Sequence, residues 1–206
     1  MARTPDLPIP ERAYQEIRTR VLAGRFRLRQ RLDASAIASD LGVSTTPVRE
    51  ALLRLTSERL VSFRPSHGFA VAMWSESGLR DLYRWRGELA ELALANFAAA
   101  AQPMVDAAAS YPDKAADLLA GLAIAAHAEL LHATRNADDR LHMARVAEAE
   151  IWPNVEQDLA PISKAILSGN IAPIRNALRK YHMRRCMNAK RIRDCAALLG
   201  LSSNGA

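Results

Sequence analysis

The chain has 206 residues, half of them hydrophobic, with only 9 Gly and 10 Pro and a formal net charge of +6. That composition excludes a disordered or fibrous chain and leaves room for one large or two small domains, each with its own core. Aromatics make up 5 %, while alanine and leucine dominate, so helices rather than sheets form the bulk of the fold.

Met1 to Pro10 holds three prolines and reads as a loose arm. From Glu11, the spacing of Ala13, Ile17, Val21 and Leu22 predicts a first helix that Gly24 ends. Arg25 to Arg31 alternates arginine with Phe26 and Leu28, which predicts a short extended connection with arginines free to reach solvent or phosphate. A second helix follows from about Ala34 to Asp40, with Asp33 as its N-cap and Ile37 and Leu41 facing inward. Gly42 supplies a turn, Val43 plugs the angle between helices, and Ser44 caps the next helix. There Pro47 falls within the first turn and Val48, Ala51, Leu52 and Leu55 form the buried stripe. Thr45, Thr46 and Arg49 are left on the opposite face. This is the sequence form of a helix-turn-helix, the unit that lays its second helix into the DNA major groove. Two short alternating runs around Arg64-Pro65-Ser66-His67-Gly68 then predict a β-hairpin, a wing with Arg64, His67 and Gly68 at its tip.

From Met73 the composition shifts toward Ala and Leu. An apolar stripe from Leu79 to Phe97 predicts a helix over about Glu76 to Ala101, broken by Pro103 and by Ser110-Tyr111-Pro112. Asp113 is expected to cap a second helix that runs to about Thr134. Asn136-Ala137-Asp138 reads as an end and restart, with a third helix from about Asp139 to Ile151 and a kink or stop at Pro153. A short segment, Ile162 to Leu167, ends at Ser168-Gly169-Asn170, and a last helix is expected over Ile171 to Leu199. The fold class is therefore mainly α, with a winged helix-turn-helix domain over 1–72 and an antiparallel helical bundle over 73–206.

Met1 to Ala72 carries 12 Arg, no Lys and 7 acidic residues, whereas the remainder has 16 basic and 15 acidic residues. The basic excess thus coincides with the helix-turn-helix, as a phosphate-facing module requires. The second basic run, Arg175 to Arg193, reads as a solvated helix face. Cys186 and Cys195 lie on different faces of one helical pattern and read as small apolar fillers in a reducing compartment. With no apolar run long enough for a membrane span and no signal-peptide core near Met1, the expected location is cytoplasmic.

The run IASDLGVSTTPVREALLRLTSERLV, Ile37 to Val61, followed by RPSHGFAV, resembles the winged helix-turn-helix of GntR-family bacterial transcription regulators. The helical remainder resembles the FadR-like branch with its all-helical ligand-binding and dimerisation domain. The likeness is carried by Arg86, Glu88, Glu91 and Ala93 in the first helix, His127 to Asn136 in a later one, and Ala165 to Asn170 with Arg175 to His182. The resemblance implies DNA contacts at Ser44, Thr46, Arg49 and Gly68, to which the residues themselves add Arg31, Ser35, Thr45 and His67. Two departures matter: many members carry arginine where this chain has Asp33 and Thr45. Threonine offers one hydroxyl and a methyl group instead of a bidentate guanine reader, so a different operator is expected.

The branch often holds a divalent ion through one Asp and three His. Here only His127 is kept, with Ala123, Leu159 and Tyr181 at the other positions and His182 one residue displaced. No metal site is therefore expected and no cofactor is required, a divalent metal entering only if a degraded site at His127 still binds one. Arg86, His127, Asn136, Tyr181 and His182 remain as polar groups for a small-molecule effector, an organic acid or related metabolite. The expected partners are double-stranded DNA, that effector and a second copy in a homodimer reading a palindromic operator, with no membrane. Two other readings are a bundle that only dimerises, and a metal-dependent enzyme around His127, His132 and His142. The latter lacks any His-Glu-x-x-His, nucleophile elbow or Gly-rich phosphate loop, and the chain is not expected to be an enzyme.

Overall fold

A computed structural model describes residues 7–95, 106–124 and 126–202. The chain forms two compact units, one of residues up to Met73 and one over Trp74–Ser202.

In the first unit, α1 (Ile9–Leu22) buries Ala13, Tyr14, Ile17 and Val21. It ends where Gly24 turns left-handed at φ +67 and the Arg25 amide reaches back to the Arg20 carbonyl at 2.9 Å. The expected extended connection is instead a tight turn. Gln30 donates to the Arg27 carbonyl at 2.9 Å, Arg29 sits at φ 66, and Phe26 and Leu28 pack on the core. The alternation there serves burial of two side chains in a turn, and only β1 (Arg31–Leu32) is strand. α2 (Ala34–Leu41) starts at Asp33, whose carboxylate accepts from the Ser35 and Ala36 amides. It ends at Gly42, φ +65, with the Val43 amide closing onto the Ala38 carbonyl at 3.0 Å. α3 (Thr45–Ser57) buries Pro47, Val48, Ala51, Leu52 and Leu55, and Val48, Leu52 and Leu55 have no solvent exposure. Truncating either leucine to alanine would cost about 2–5 kcal/mol.

Tyr14 locks α1 to α3. Its hydroxyl donates to both Glu58 carboxylate oxygens, at 2.9 and 3.0 Å, and the Arg54 guanidinium lies 3.5 Å over its ring while bonding Glu11 at 2.8 Å. The wing is β2 (Val61–Arg64) and β3 (Gly68–Val71), antiparallel, with β1 on the other side of β3. The His67 amide closes a turn onto the Arg64 carbonyl, and Gly68 at φ +73 supplies the left-handed residue that a three-residue hairpin loop needs.

The second unit is a helical bundle of α4 (Glu76–Leu94), α5 (Tyr111–Gly121), α6 (Ala128–Ile151), α7 (Ala160–Ser168), α8 (Ile171–Met187) and α9 (Ala189–Ser202). α6 packs against α4, α5 and α9, and α8 against α4 and α7. Three joints differ from expectation, and a fourth, the stop before Pro153, matches it. The helix expected from Asp113 to Thr134 is two: α5 begins at Tyr111, with Ser110 as N-cap residue bonding the Asp113 carboxylate at 2.6 Å, and α6 restarts at His127. The chain does not break at Asn136-Ala137-Asp138, because Ala137 and Asp138 face the interior of a continuous α6. α6 ends at Ile151, and Trp152 before Pro153 is extended, as the proline ring demands. The expected last helix divides at Asn188, whose side-chain amide donates to the Arg184 carbonyl at 2.8 Å. The first bundle helix is described to Ala95, so its expected end at Ala101 lies outside the described residues.

Candidate nucleic-acid interface and buried polar centre

Burial of one face of α3 fixes what the other face presents. Thr45, Thr46, Arg49 and Glu50 are exposed on the first two turns, opposite the Val48, Ala51, Leu52 and Leu55 stripe. Ser44 takes the extended N-cap backbone geometry, but its hydroxyl makes no capping bond, contrary to expectation. The first amides of α3 are thus left without a side-chain cap, which suits a helix N-terminus to a phosphate. The N-terminus of α2 is different. Asp33 takes the Ser35 and Ala36 amides at 2.8 and 3.2 Å, and these backbone bonds hold its carboxyl below the usual range. A carboxylate therefore stands where a phosphate would otherwise sit, flanked by exposed Arg31 and Ser35. Arg31 pairs across the sheet with Ala70, while His67 and Gly68 form the turn between β2 and β3. The eight residues expected at DNA thus fall in two groups: Ser35, Ser44, Thr45, Thr46 and Arg49 on the first turns of α2 and α3 or just before them, and Arg31, His67 and Gly68 on the sheet and its turn.

The helical unit holds a network of buried charge. Arg86 of α4, 1 % exposed, meets Asp138 of α6 through two bonds, Nε to Oδ1 at 2.9 Å and Nη2 to Oδ2 at 3.2 Å. Arg145, also 1 % exposed, adds Nη2 to the same Oδ1 at 2.6 Å. Two turns of helix separate Asp138 from Arg145, so the arginine bends back toward the N-terminal end of α6. Glu148, fully buried, accepts from Tyr83, Tyr111 and Arg185 Nε, the last at 2.9 Å. The Tyr111 hydroxyl in turn accepts from Arg185 Nη2 at 2.8 Å and lies 3.2 Å from the Tyr181 hydroxyl. Burial, followed by the nearby Glu148, pushes the Tyr83 hydroxyl well above its ordinary range, so it remains a donor. Asp138, Arg145 and Glu148 stand at helical spacing on the stripe that also carries Leu141 and Ala144. Charged residues set within an apolar stripe were the signal in the sequence.

The residues expected at the effector are distributed differently. Arg86, Tyr181 and His182 are buried, and Arg86 is committed to Asp138. His182 Nδ1 bonds the Leu178 carbonyl at 2.8 Å, and burial, then the Arg86 guanidinium, lowers its pKa to about 3. His127 is the N-cap of α6, its ring nitrogen accepting from the Leu130 amide at 3.2 Å. Asn136 is half-buried in the middle of α6. At the positions where the resemblance implies metal ligands in the family branch, Ala123, Leu159 and Tyr181 are all buried, and among the described residues no group of three His, Cys, Asp or Glu is placed to hold a metal. His142 Nδ1 lies 3.8 Å from Asp113 Oδ1. Between α4 and α8 runs a groove of 760 Å³ that includes Trp85, Glu88, Leu92, Arg179, His182 and Met183. Among the described residues no helix is long and apolar enough to cross a membrane.

Residues 10–71 match the family described as bacterial regulatory proteins of the gntR family. The chain is 36 % identical over 80 residues to the HTH-type transcriptional regulator McbR of Escherichia coli K12, a match spanning 36 % of that protein's length and 39 % of this chain. An HTH-type transcriptional regulator of Agrobacterium vitis, from the TAR-I ttuE-ttuC' intergenic region, is 32 % identical over 142 residues, covering 77 % of that protein and 66 % of this chain. Two solved structures share the fold at 18 % identity. A transcriptional regulator GntR from Rhodococcus sp. RHA1 superposes with a TM-score of 0.75 over 88 % of this chain and 97 % of its own. The structure of E. coli McbR/YncC gives 0.64 over 90 % of this chain and 99 % of its own. These relatives are transcriptional regulators rather than enzymes. The winged helix-turn-helix, the helical unit that follows it and the sequence kinship together identify this chain as a member of the GntR family.

Proposed function

We propose that the chain is a sequence-specific, DNA-binding transcriptional repressor of the cytoplasm that acts as a homodimer on a palindromic operator and answers to a small organic acid. One observation carries the reading: the start of α3 presents Thr45, Thr46 and Arg49 to solvent while its opposite face is locked in the core. Arg49 anchors the backbone, Thr45 and Thr46 face base edges, and Arg31 with the His67-Gly68 turn reaches the flanking duplex. A two-fold dimer places two such helices on related half-sites. An effector bound in the helical unit that favours one arrangement of the dimer shifts DNA binding by its differential affinity for the two arrangements. The family membership and the basic excess of the first 72 residues support the DNA reading. The buried polar side chains of the helical unit support the effector reading over a bundle that only dimerises.

The test is a fluorescence-anisotropy titration of labelled duplexes at physiological salt, with the oligomeric state followed by light scattering. A dimer that prefers one duplex over scrambled DNA is expected. Equal affinity for all duplexes at that salt defeats the DNA-reading role, and a monomer on its preferred duplex defeats the two-half-site geometry.

A further inference from the structure

The outer faces of α4 and α8 hold large apolar side chains in solvent. Trp85 and Leu92 on α4 are 43 % and 55 % exposed, and Met183 and Met187 on α8 are 54 % and 74 % exposed. The two helices run antiparallel. Arg80 Nε reaches the Cys186 carbonyl at 3.4 Å, Gly87 faces the His182 ring, and Arg175 Nε bonds Glu91 at 2.7 Å. That register sets Trp85 level with Met183, Glu88 with Arg179 and Leu92 with Arg175, on the two walls of the 760 Å³ groove. An exposed patch in which tryptophan and methionine stand among charges has the make-up of a protein–protein contact surface.

The charges say which partner fits. The α4 wall is acidic at Glu88 and Glu91, and Arg84 at its end is turned to Asp81 at 3.3 Å. The α8 wall is basic at Arg175 and Arg179. Arg175 already holds Glu91 within the chain, whereas Glu88 and Arg179 are exposed and make no ion pair among the described residues. A partner that answers both walls has to carry an acidic row beside a basic row at the same spacing. This face has that pattern itself, as an isologous contact requires.

Two copies can meet here about a two-fold axis in either of two directions. An axis across the helices lays α4 on α4 and α8 on α8, so like charges face each other. An axis along the groove lays α4 of each copy on α8 of the other at the same level. Glu88 then meets Arg179 of the other copy, Trp85 lies against its Met183 in a sulfur–aromatic contact, and each contact occurs twice.

We propose that the helical units of two copies pair through this face about a two-fold axis running along the α4–α8 groove, with Glu88–Arg179 and Trp85–Met183 as the reciprocal contacts. The proposal rests on the reading of the chain as a homodimer, and it assigns the face and the orientation.

Sedimentation of the full chain without DNA, over a dilution series, reads the dimer dissociation constant. Glu88→Arg and Arg179→Glu each set two like-charge contacts in the interface, and each is expected to weaken the dimer about a hundredfold. Combined, they exchange the two charges and are expected to bring the constant back to within about tenfold of the parent. Trp85→Ala removes the largest anchor and is expected to weaken the dimer about a hundredfold as well. All these side chains are exposed, so far-ultraviolet circular dichroism of the variants is expected to match the parent. Single reversals that leave the constant unchanged overturn the face while the homodimer stands. Single reversals that dissociate the dimer, with no recovery in the double variant, overturn the orientation. A parent that stays monomeric at every concentration, with and without its preferred duplex, defeats the homodimer reading and the proposal with it.

Discussion

Asp138→Asn removes the one carboxylate that separates Arg86 from Arg145 and leaves two buried guanidiniums facing each other. Three charge-assisted bonds, at 2.9, 3.2 and 2.6 Å, lose their ionised acceptor. All three side chains are at most 5 % exposed, so water cannot replace it. Breaking a buried ionic cluster from one side costs about 3–5 kcal/mol. For a protein of this size that corresponds to a fall in melting temperature of roughly 10 °C. Trp74, Trp85 and Trp152, all the tryptophans of the chain, lie in the second unit, so tryptophan fluorescence during thermal or urea unfolding reports that unit alone. The control is the triple replacement Arg86→Met, Asp138→Leu, Arg145→Met, which removes the whole cluster and is expected to recover most of the loss. A loss of under about 1 kcal/mol for Asp138→Asn refutes the view that this carboxylate neutralises the centre.

Tyr14→Phe deletes the hydroxyl that bonds Glu58 and is expected to cost about 1–2 kcal/mol in the first unit, read by hydrogen exchange of α1 amides. Gly42→Ala forces a Cβ into the left-handed region at φ +65 with no atom within 4 Å to clash, so its cost of about 1–2 kcal/mol is backbone strain alone. Circular dichroism melts of the variant check it, and an unchanged stability would mean that the turn can relax. His182 has a folded pKa of about 3 against 6.5 for the free ring. The native state binds fewer protons in that window, so stability is complete above pH 6.5 and falls as the pH drops toward 3. His182→Gln should flatten that part of the acid unfolding curve followed by tryptophan fluorescence. Arg49→Ala should weaken DNA binding by about 1–3 kcal/mol across sequences and reduce the salt slope by about one, measured by anisotropy over a salt series.

The first unit was legible because its signals are local. Asp33 caps α2 from two residues away, Gly42 meets a left-handed turn with no side chain, and the stripe from Val48 to Leu55 is one helix turn after another. The helical unit was legible in class but not in its joints. Asn136-Ala137-Asp138 has the composition of a helix end, yet Asp138 is held inside by Arg86, 52 residues away, and a partner at that distance leaves no trace in a local window. For the same reason Arg86 reads in the sequence as a polar group for an effector, although it is paired within the chain. The joint at Asn188 carries neither proline nor glycine, and a side-chain amide turned onto its own backbone makes it. His127 kept its register in the chain but took the N-cap of α6, a role set by where α5 ends.

The reading of α3 is tested most directly by selecting binding sites from random duplex DNA with the parent chain and with Thr45→Arg. Thr45 is exposed on the first turn of α3, so the account expects a two-fold related site for the parent and a changed base preference, toward guanine, at one position of each half-site for the variant. The same site returned by both proteins, or no enriched site for the parent, contradicts it.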